Sequence, residues 1–399
     1  MPSPLRALAL PIALSLSLTV AACAWKIPTS ALDASFQGSA FPGAVTSPPV
    51  LVWSRLLPGA ALPANSRSEM ARPAIRGRYL WVGSAGSDAL FQLERRDGTV
   101  RGQYPARGAV HDQPILEEDT VLFTDSAGYV WRYPLSGGDP IWSHFTGAPV
   151  VSTPAVDAQS VFVTTIDNTV LALNRVSGEV QWRYEHAPDA TRVSELELYG
   201  APSPTVLGGR VIVGFSDGRL VALDATSGEL LWQKKIGEGR YPDVIATPVG
   251  EGRTVYAGGF STPFVALDVE TRSVRWRLAF GTSSGATLLG ETLFVGGSDG
   301  QLRAINRLTG AVIWAWDSGT TGALTKPIPV DAGLLIGSTE GGLWLIDPES
   351  GEDTWSFDAG FTVDGISVAP VVDGAQVLTV TNAGNLYALL SIQKDSDPE

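Results

Sequence analysis

Hydrophobic residues in the middle of the chain form short runs that Gly, Asp and Ser interrupt at regular intervals. Within residues 204–232 the runs cover 204–207, 210–215, 219–224 and 229–232, and no helical periodicity competes with them. The residues between the runs readily adopt the positive φ that hairpin turns need. The pattern therefore predicts four short antiparallel strands joined by tight turns.

This four-strand unit recurs along the chain with a constant internal length. In five copies a Pro opens the unit and a Trp closes it 28 residues later. The pairs are Pro114 with Trp142, Pro154 with Trp182, Pro204 with Trp232, Pro248 with Trp276, and Pro327 with Trp355. A sixth copy runs from Ala286 to Trp314, and a seventh runs from Pro73 to Arg101 without the Trp. An eighth begins at Pro370 and lacks its fourth strand. Repeats of this kind predict a β-propeller.

The missing strand of the eighth copy is present near the start of the chain. Residues 50–53, VLVW, resemble a fourth strand with its Trp, and no first three strands precede them. Pairing of this strand with the last sheet would close the ring and leave no unpaired edge. We therefore predict an all-β fold: an eight-bladed β-propeller of four-stranded antiparallel blades over residues 50–392, closed by the N-terminal strand.

The first residues have the pattern of an export signal that ends in a Cys. Arg6 supplies a positive charge, residues 7–20 are apolar, and small residues lead to Cys23, the single Cys of the chain. This arrangement resembles the lipobox of bacterial lipoproteins. We predict a lipoprotein signal peptide over residues 1–22 and a palmitate-bearing lipid anchor on Cys23. The alternative is a free thiol behind an ordinary secretory signal.

Two further segments lie outside the repeats and lack hydrophobic periodicity. Residues 24–49 are rich in Ala, Ser, Pro and Gly, which predicts a flexible tether between the lipid and the propeller. The alternative is that Trp25, Phe36 or Phe41 docks on the ring. Residues 393–399 are polar and predict an acidic, frayed tail.

The charge of the chain limits its partners. The formal net charge is −13 at pH 7, and no run of basic residues occurs. An acidic surface disfavours nucleic acid and anionic lipid as electrostatic partners, and it disfavours acidic substrates. We therefore expect no nucleic-acid partner, and membrane contact only through the lipid anchor.

The spacing between repeats varies, whereas the spacing within them does not. Because the strands of a blade alternate in direction, every connection from one blade to the next lies on the same face of the ring. The longest connection covers residues 183–203 and contains Leu196, Leu198 and Tyr199. Apolar side chains on such a loop predict a partner-binding surface. The alternative is that these residues extend the next inner strand and are buried there.

The recurrent Trp residues are predicted to be structural. Their identical register indicates that each docks an outer strand on its neighbour rather than stacking on a ligand. They are Trp142, Trp182, Trp232, Trp276, Trp314 and Trp355. A Ser-Gly or Thr-Gly turn accompanies most of them, whereas the fifth blade has Thr271 and Arg272 at this turn.

The repeat ALD-x-x-(S/T)-G-x-x-x-W, which occurs as LVALDATSGELLW at residues 220–232, carries a family resemblance. It resembles the tryptophan-docking repeat of the pyrroloquinoline-quinone (PQQ) dehydrogenases and their non-enzymatic relatives. With eight blades and a lipobox, the pattern over residues 50–392 is most similar to the BamB-like outer-membrane protein assembly lipoproteins. The resemblance implies a periplasm-facing lipoprotein scaffold, anchored in the cell outer membrane, that helps to insert outer-membrane proteins.

The same resemblance implies a protein partner, a BamA-type barrel assembly protein. In the family, two neighbouring interblade loops carry this contact, and they match residues 195–200 and 241–247 here. Leu196 and Leu198 match the family's Leu-x-Leu pair, and Asp243 matches the first of two acidic positions.

Two positions depart from that family pattern. Tyr199 stands where the family has Arg, and Ile245 replaces the second acidic residue. The apolar part of the docking surface is therefore expected to persist while its electrostatics differ. The resemblance also implies that the protein is a monomer within its complex.

Two other classes of function stay open as alternatives. A PQQ-dependent dehydrogenase needs a Ca²⁺ site, a catalytic Asp and usually a vicinal Cys pair, and the chain has no second Cys. His111, His144 and His186 lack ligand spacing and are predicted to lie at the surface or in turns. Asp217 and Asp299 each precede a Gly and predict turns rather than metal loops. We predict no enzyme activity, cofactor or metal. The second alternative is a generic propeller scaffold or a ligand sensor that uses the central channel.

Overall fold

The computed structural model describes residues 44–60, 69–187, 202–358 and 364–391. Within them, 32 β-strands form eight antiparallel sheets of four strands each. This confirms the predicted eight-bladed β-propeller.

The blades follow one another along the chain. Blade 1 contains β2 (Ala74–Arg76), β3 (Tyr79–Val82), β4 (Ala89–Glu94) and β5 (Val100–Pro105). Blade 2 contains β6 (Ile115–Leu116), β7 (Thr120–Thr124), β8 (Tyr129–Pro134) and β9 (Trp142–Phe145). Blade 3 contains β10 (Ala155–Val156), β11 (Ser160–Thr164), β12 (Thr169–Asn174) and β13 (Val180–Glu185). Blade 4 contains β14 (Thr205–Leu207), β15 (Arg210–Gly214), β16 (Arg219–Asp224) and β17 (Leu230–Lys235).

The second half of the ring has the same order. Blade 5 contains β18 (Val249–Glu251), β19 (Thr254–Ala257), β20 (Phe264–Asp268) and β21 (Val274–Leu278). Blade 6 contains β22 (Thr287–Leu289), β23 (Thr292–Gly296), β24 (Gln301–Asn306) and β25 (Val312–Asp317). Blade 7 contains β26 (Ile328–Val330), β27 (Gly333–Gly337), β28 (Leu343–Ile346) and β29 (Asp353–Phe357). Blade 8 contains β30 (Val371–Asp373), β31 (Gln376–Val380), β32 (Asn385–Leu390) and the N-terminal β1 (Val50–Leu56).

The outer strands are longer than the hydrophobic pattern predicts. In blade 4 the predicted strand stops at Trp232, but β17 continues to Lys235. Leu230, Leu231, Gln233 and Lys235 are exposed along it. Because an outer strand borders solvent, polar residues continue it without interrupting the sheet, so the predicted end was wrong.

The ring closes as predicted. Strand β1 pairs antiparallel with β32, with Val50 opposite Leu390 and Leu56 opposite Asn385. Just upstream, the amide of Ser47 donates to Ser391 Oγ at 3.1 Å. The first described strand thus completes the last blade and covers the outer edge of β32.

Strand direction defines two faces of the disc. The interblade connections and the turns between second and third strands lie on one face, which we call the loop face. The turns between first and second strands and between third and fourth strands lie on the opposite face, which we call the turn face. The first strands of neighbouring blades contact one another, so they surround the central axis.

The core lies between adjacent blades. Ile212 and Ala222 of blade 4, for example, pack with Val255 and Val265 of blade 5 in one cluster. The second and third strands are buried on both faces, which explains why they are continuous hydrophobic runs. Each fully buried aliphatic side chain contributes about 1.5–3 kcal/mol, so the blade boundaries carry most of the stability.

Each boundary is also joined by an aromatic residue. Trp182 of blade 3 donates through Nε1 to the carbonyl of Ala225 in blade 4 at 3.0 Å. Gly228, with φ 74°, permits this contact, because a Cβ there would lie 2.6 Å from the Trp182 ring. The same bond links Trp53 to Arg95 O at 2.9 Å, Trp142 to Arg175 O at 3.3 Å, Trp276 to Arg307 O at 3.0 Å and Trp314 to Pro348 O at 3.2 Å.

Two Trp residues of the set differ. Trp232 is 5% exposed, and its Nε1 has no hydrogen-bond partner among the described residues. Trp355 packs in the cluster between blades 7 and 8 and stacks on Phe357 with an interplanar angle of 9°.

Blade 1 replaces its lost Trp with a tyrosine. Arg101 occupies the Trp register, and Tyr104, three positions later on the same strand, is 2% exposed. Its hydroxyl donates to the carbonyl of Leu135 in blade 2 at 2.7 Å and accepts from Trp81 Nε1 at 3.2 Å. Tyr104 therefore makes the same kind of link to the next blade from a different register.

Candidate functional site

The predicted site residues fall into two groups. Cys23, Leu196, Leu198 and Tyr199 lie outside the described residues, so their roles stay predictions. Asp243 lies in the described connection between blades 4 and 5. We therefore build the candidate site on this connection, residues 236–248, and on the turns that support it.

Two neighbouring turns hold this connection in place. The amide of Val244 donates to the carbonyl of Phe215 in blade 4 at 3.1 Å, and the amide of Ala246 donates to the carbonyl of Gly258 in blade 5 at 3.2 Å. A Cβ on Gly214 would lie 2.2 Å from the Val244 carbonyl oxygen, so the backbones approach closely. The loop is thus fixed to both blades by its own main chain.

Aromatic side chains project from this supported surface. Tyr241 is 39% exposed, and the Arg240 guanidinium lies 5.3 Å from its ring centroid. Phe260, in the adjoining turn between β19 and β20, is 52% exposed. Exposed aromatic groups on a rigid support are typical of protein-binding surfaces. The sequence analysis missed Phe260, although the insertion in its turn, GGFSTP, was a visible signal.

The matched acidic residue has a different environment. Asp243 is only 4% exposed. A partner would therefore meet the rim of the loop around Tyr241 before it met this carboxylate. The partner contact at Asp243 stays a prediction, since the side chain of Asp243 is buried within the connection.

A buried polar pair lies at the boundary between blades 3 and 4, at the base of the longest connection. His186 is 7% exposed, and its Nε2 lies 3.0 Å from Asp217 Oδ2. Its ring stacks on Phe215 with centroids 4.1 Å apart. The predicted surface position of His186 was wrong, because its side chain is buried between two blades, although the residue does lie in the connection that follows β13. A separation of 31 positions hid the pair from sequence reasoning.

Two neighbouring side chains stabilise the negative charge of Asp217. Burial raises the pKa of Asp217, but hydrogen bonds from His186 and Arg219 outweigh it and lower the pKa to about 2. Arg219 donates to Asp217 Oδ2 at 2.6 Å. Asp217 is therefore ionised at neutral pH and links the connection after blade 3 to the body of blade 4.

The described part of the chain holds no group of three or more His, Cys, Asp or Glu side chains placed to bind a metal ion. In the same ranges, no helix has the length and apolarity needed to cross a membrane.

The family comparison identifies the repeat. A family model described as outer membrane protein assembly factor BamB matches residues 133–316 and 298–394. Together these matches run from blade 2 through blade 8 and cover more than half of the chain.

Individual relatives agree with the family model. The outer membrane protein assembly factor BamB of Yersinia pestis is 26% identical over 325 residues, covering 80% of this chain and 78% of that protein. The protein of the same name from Vibrio cholerae is 30% identical over 153 residues, covering 37% of this chain and 38% of that protein. The crystal structure of BamB from Moraxella catarrhalis superposes with a TM-score of 0.70 at 18% identity, covering 86% of this chain and 99% of that one. This last likeness supports the fold.

Proposed function

The chain belongs to the family of the outer membrane protein assembly factor BamB, and on that premise we propose that it acts in outer membrane protein assembly as a non-enzymatic scaffold. The observation that carries the proposal is the family match from blade 2 to blade 8, on a ring whose loop face presents aromatic side chains from a fixed support. A rigid disc of this kind can hold a partner in a defined orientation without chemistry of its own.

We propose that the partner is a BamA-type barrel assembly protein and that it binds the loop face. Two interblade connections would carry the contact, the one that contains Leu196, Leu198 and Tyr199 and the one that contains Tyr241. Phe260 extends the second of these surfaces onto the neighbouring turn. The aromatic and Leu side chains would supply apolar anchors, as in most protein interfaces.

The proposed lipid anchor on Cys23 would be attached to the turn face of the disc, opposite the proposed partner surface. Strand β1 enters blade 8 at the turn face, where the carbonyl of Val45 accepts from the amide of Ala332 at 2.8 Å. The tether therefore joins the disc at the turn face. A disc held in this way, on the periplasmic side of the outer membrane, keeps its loop face free for the partner.

Site-specific photo-crosslinking in the native envelope tests the partner surface. A photoreactive residue at position 241 or 260 is expected to crosslink the barrel assembly protein. The same residue at position 176 or 308 is the matched control, because Val176 and Leu308 are 76% and 59% exposed on the turn face. Crosslinks to the barrel assembly protein from the turn face alone, or only to unrelated proteins from the loop face, would contradict the proposed surface.

Two simple assays test the remaining parts of the proposal. Cys23→Ala is expected to abolish lipid labelling, and full retention in the membrane despite this change would argue against the anchor. PQQ with Ca²⁺ is expected to leave Tm unchanged, since a cofactor that binds the folded state would raise it. A saturable rise in Tm would instead support a dehydrogenase.

A further inference from the structure

The central axis of the ring carries a charged cluster that the proposed partner contacts do not use. One residue directly precedes the opening Pro or Ala of each repeat, at the loop-face end of each first strand. In ring order these eight residues are Gly285, Lys326, Ala369, Arg72, Gln113, Thr153, Ser203 and Thr247. We call them the channel belt, because the first strands surround the central channel.

Arg72 is the best-supported member of the channel belt. Its Nε donates to the carbonyl of Ala369 in blade 8 at 3.0 Å, and a terminal nitrogen donates to Gln113 Oε1 in blade 2 at 2.9 Å. The second terminal nitrogen donates to the carbonyl of Pro370 at 3.1 Å. The guanidinium is thus fixed across three blades, and a guanidinium has five N–H groups, so donors remain.

Lys326, unlike Arg72, has no hydrogen-bond partner in the described residues. It is partly buried, yet it makes no hydrogen bond or ion pair with any residue in the described ranges. Its two neighbours in the channel belt are Gly285 and Ala369, the smallest members. A Cβ on Gly285 would lie 3.8 Å from Lys326 Cδ, so the lysine stem leans over blade 6. No side chain larger than a methyl group stands beside it in the belt.

The charge of Arg72 acts on Lys326. Burial lowers the pKa of Lys326, and the nearby charge of Arg72 lowers it further. The carboxylate of Asp112 lies near Arg72, but it already accepts from Thr153 Oγ1 and from the amide of Gln113. Among the described residues, this end of the channel therefore carries two cations: Lys326, which has no hydrogen-bond partner there, and Arg72, whose charge the Asp112 carboxylate partly offsets. The protein as a whole has a net charge of −13.

We propose that Lys326 and Arg72 bind a small oxyanion, a carboxylate or phosphate group, at the loop-face mouth of the central channel. The ammonium of Lys326 supplies up to three donors, and the guanidinium supplies its remaining N–H groups. The site is independent of the loop contacts proposed above, so failure of one proposal leaves the other intact.

Isothermal titration calorimetry on the full chain tests this site. Inorganic phosphate and succinate are titrated separately, at an ionic strength held constant with chloride. We expect saturable binding of at least one of them, and the tighter anion identifies phosphate or carboxylate as the preferred group. Lys326→Gln is expected to weaken this binding about tenfold or more, as loss of a hydrogen bond to a charged group does.

Two variants make the result specific. Lys234→Gln is the matched control, because Lys234 is also partly buried but lies on the outer strand β17, and it is expected to leave the affinity unchanged. Lys326→Arg keeps the charge and is expected to restore most of the binding. Equal affinity in Lys326→Gln and the unsubstituted protein would overturn the proposal, as would the lack of saturable binding for both anions.

Discussion

Two neighbouring blade boundaries, between blades 3 and 4 and between blades 4 and 5, are built from the same repeat. Their buried polar groups are hydrogen-bonded at the first boundary and partly unpaired at the second. At the first, Trp182 donates to Ala225, and Asp217 is bonded to both His186 and Arg219. At the second, Trp232 Nε1 and Thr262 Oγ1 are buried without a hydrogen-bond partner in the described residues. The two boundaries share a blade and a similar apolar core.

The difference shows which part of the module is indispensable. A buried apolar cluster spans each boundary, so the blades contact each other even where a hydrogen bond is missing. The less satisfied boundary also has Arg272, with φ 61°, where its counterpart has Gly228. It is the boundary whose loop face carries Tyr241 and Phe260. Arg272 lies in a turn between third and fourth strands and is therefore on the turn face, whereas Thr262 lies in the loop-face turn that also carries Phe260. Only the Thr262 hydroxyl, which has no partner in the described residues, therefore lies beside the surface proposed to bind a partner.

The largest expected effect is at the docking turns. Gly228→Ala places a methyl group 2.6 Å from the Trp182 ring at a positive φ, so it should cost about 2–4 kcal/mol. Arg272→Gly removes the unfavourable backbone conformation and should stabilise the protein by about 0.5–1 kcal/mol. Urea denaturation measures both. If Gly228→Ala left the free energy of unfolding unchanged, the turn would not be tightly packed against Trp182.

The next effect is the pH dependence of the stability that Asp217 contributes at the boundary between blades 3 and 4. Asp217→Asn should cost about 2 kcal/mol at pH 7, because it weakens two charge-assisted hydrogen bonds. The folded pKa of Asp217 is about 2, below its ordinary value near 4. Its contribution is therefore complete above pH 4 and is lost as the pH falls from about 4 toward 2.

Free energies of unfolding measured from pH 7 to pH 2.5 check this expectation. The gap between the unsubstituted protein and Asp217→Asn should narrow as the pH falls. Asp299→Asn is the control, since the side chain of Asp299 is 45% exposed and its ion pair with Arg303 should contribute less. A gap that stays constant with pH would contradict the role of the Asp217 charge.

The third effect compares the two Trp residues directly. Trp182→Phe loses a hydrogen bond and leaves the Ala225 carbonyl unpaired, so it should cost about 1 kcal/mol more than Trp232→Phe. Trp232→Phe loses packing area but also removes an unsatisfied N–H. Thermal and chemical unfolding of the matched pair give the difference. Equal losses would mean that the Trp182 bond adds little to its packing.

The smallest effect concerns the unpaired hydroxyl of Thr262. Thr262→Val replaces it with a methyl group of similar size and should stabilise the protein by about 0.5–1 kcal/mol. Thr282→Val is the control, because Thr282 Oγ1 donates to the Gly296 carbonyl at 2.7 Å, and its loss should be destabilising. The sign of the two changes in Tm decides the point. Destabilisation by Thr262→Val would indicate that the hydroxyl is satisfied in solution.

The repetition in the sequence was sufficient to predict the architecture. The constant offset between Pro and Trp predicts the blades, and the isolated Trp53 predicts which strand closes the ring. Both depend on a local pattern copied many times, and periodicity detects such patterns. The substitution of Trp by Tyr104 was missed because the tyrosine occupies a different register, three residues beyond Arg101.

Contacts that occur once could not be predicted in this way. His186 and Asp217 meet across a boundary, and although Asp recurs at the position of Asp217, as Asp167 and Asp299, no other blade has a His at the position of His186. The same holds for the ammonium of Lys326, which has no hydrogen-bond partner in the described residues and whose surroundings come from four separate blades. The proposed contacts of Leu196, Leu198 and Tyr199 stay predictions that come from family resemblance.

Closure of the ring by β1 has a consequence for the order of events when the chain is made. Ser47 and its partner Ser391 are 344 positions apart, so the first described strand cannot pair until the last one has been synthesised. Until β32 has been synthesised, β1 has no strand to pair with, while the sheets of the other seven blades can already form. A chain that ended between residues 358 and 384 would contain the sheets of blades 1 to 7 but would lack β32, with which β1 pairs. The unpaired edges of β1 would then favour aggregation.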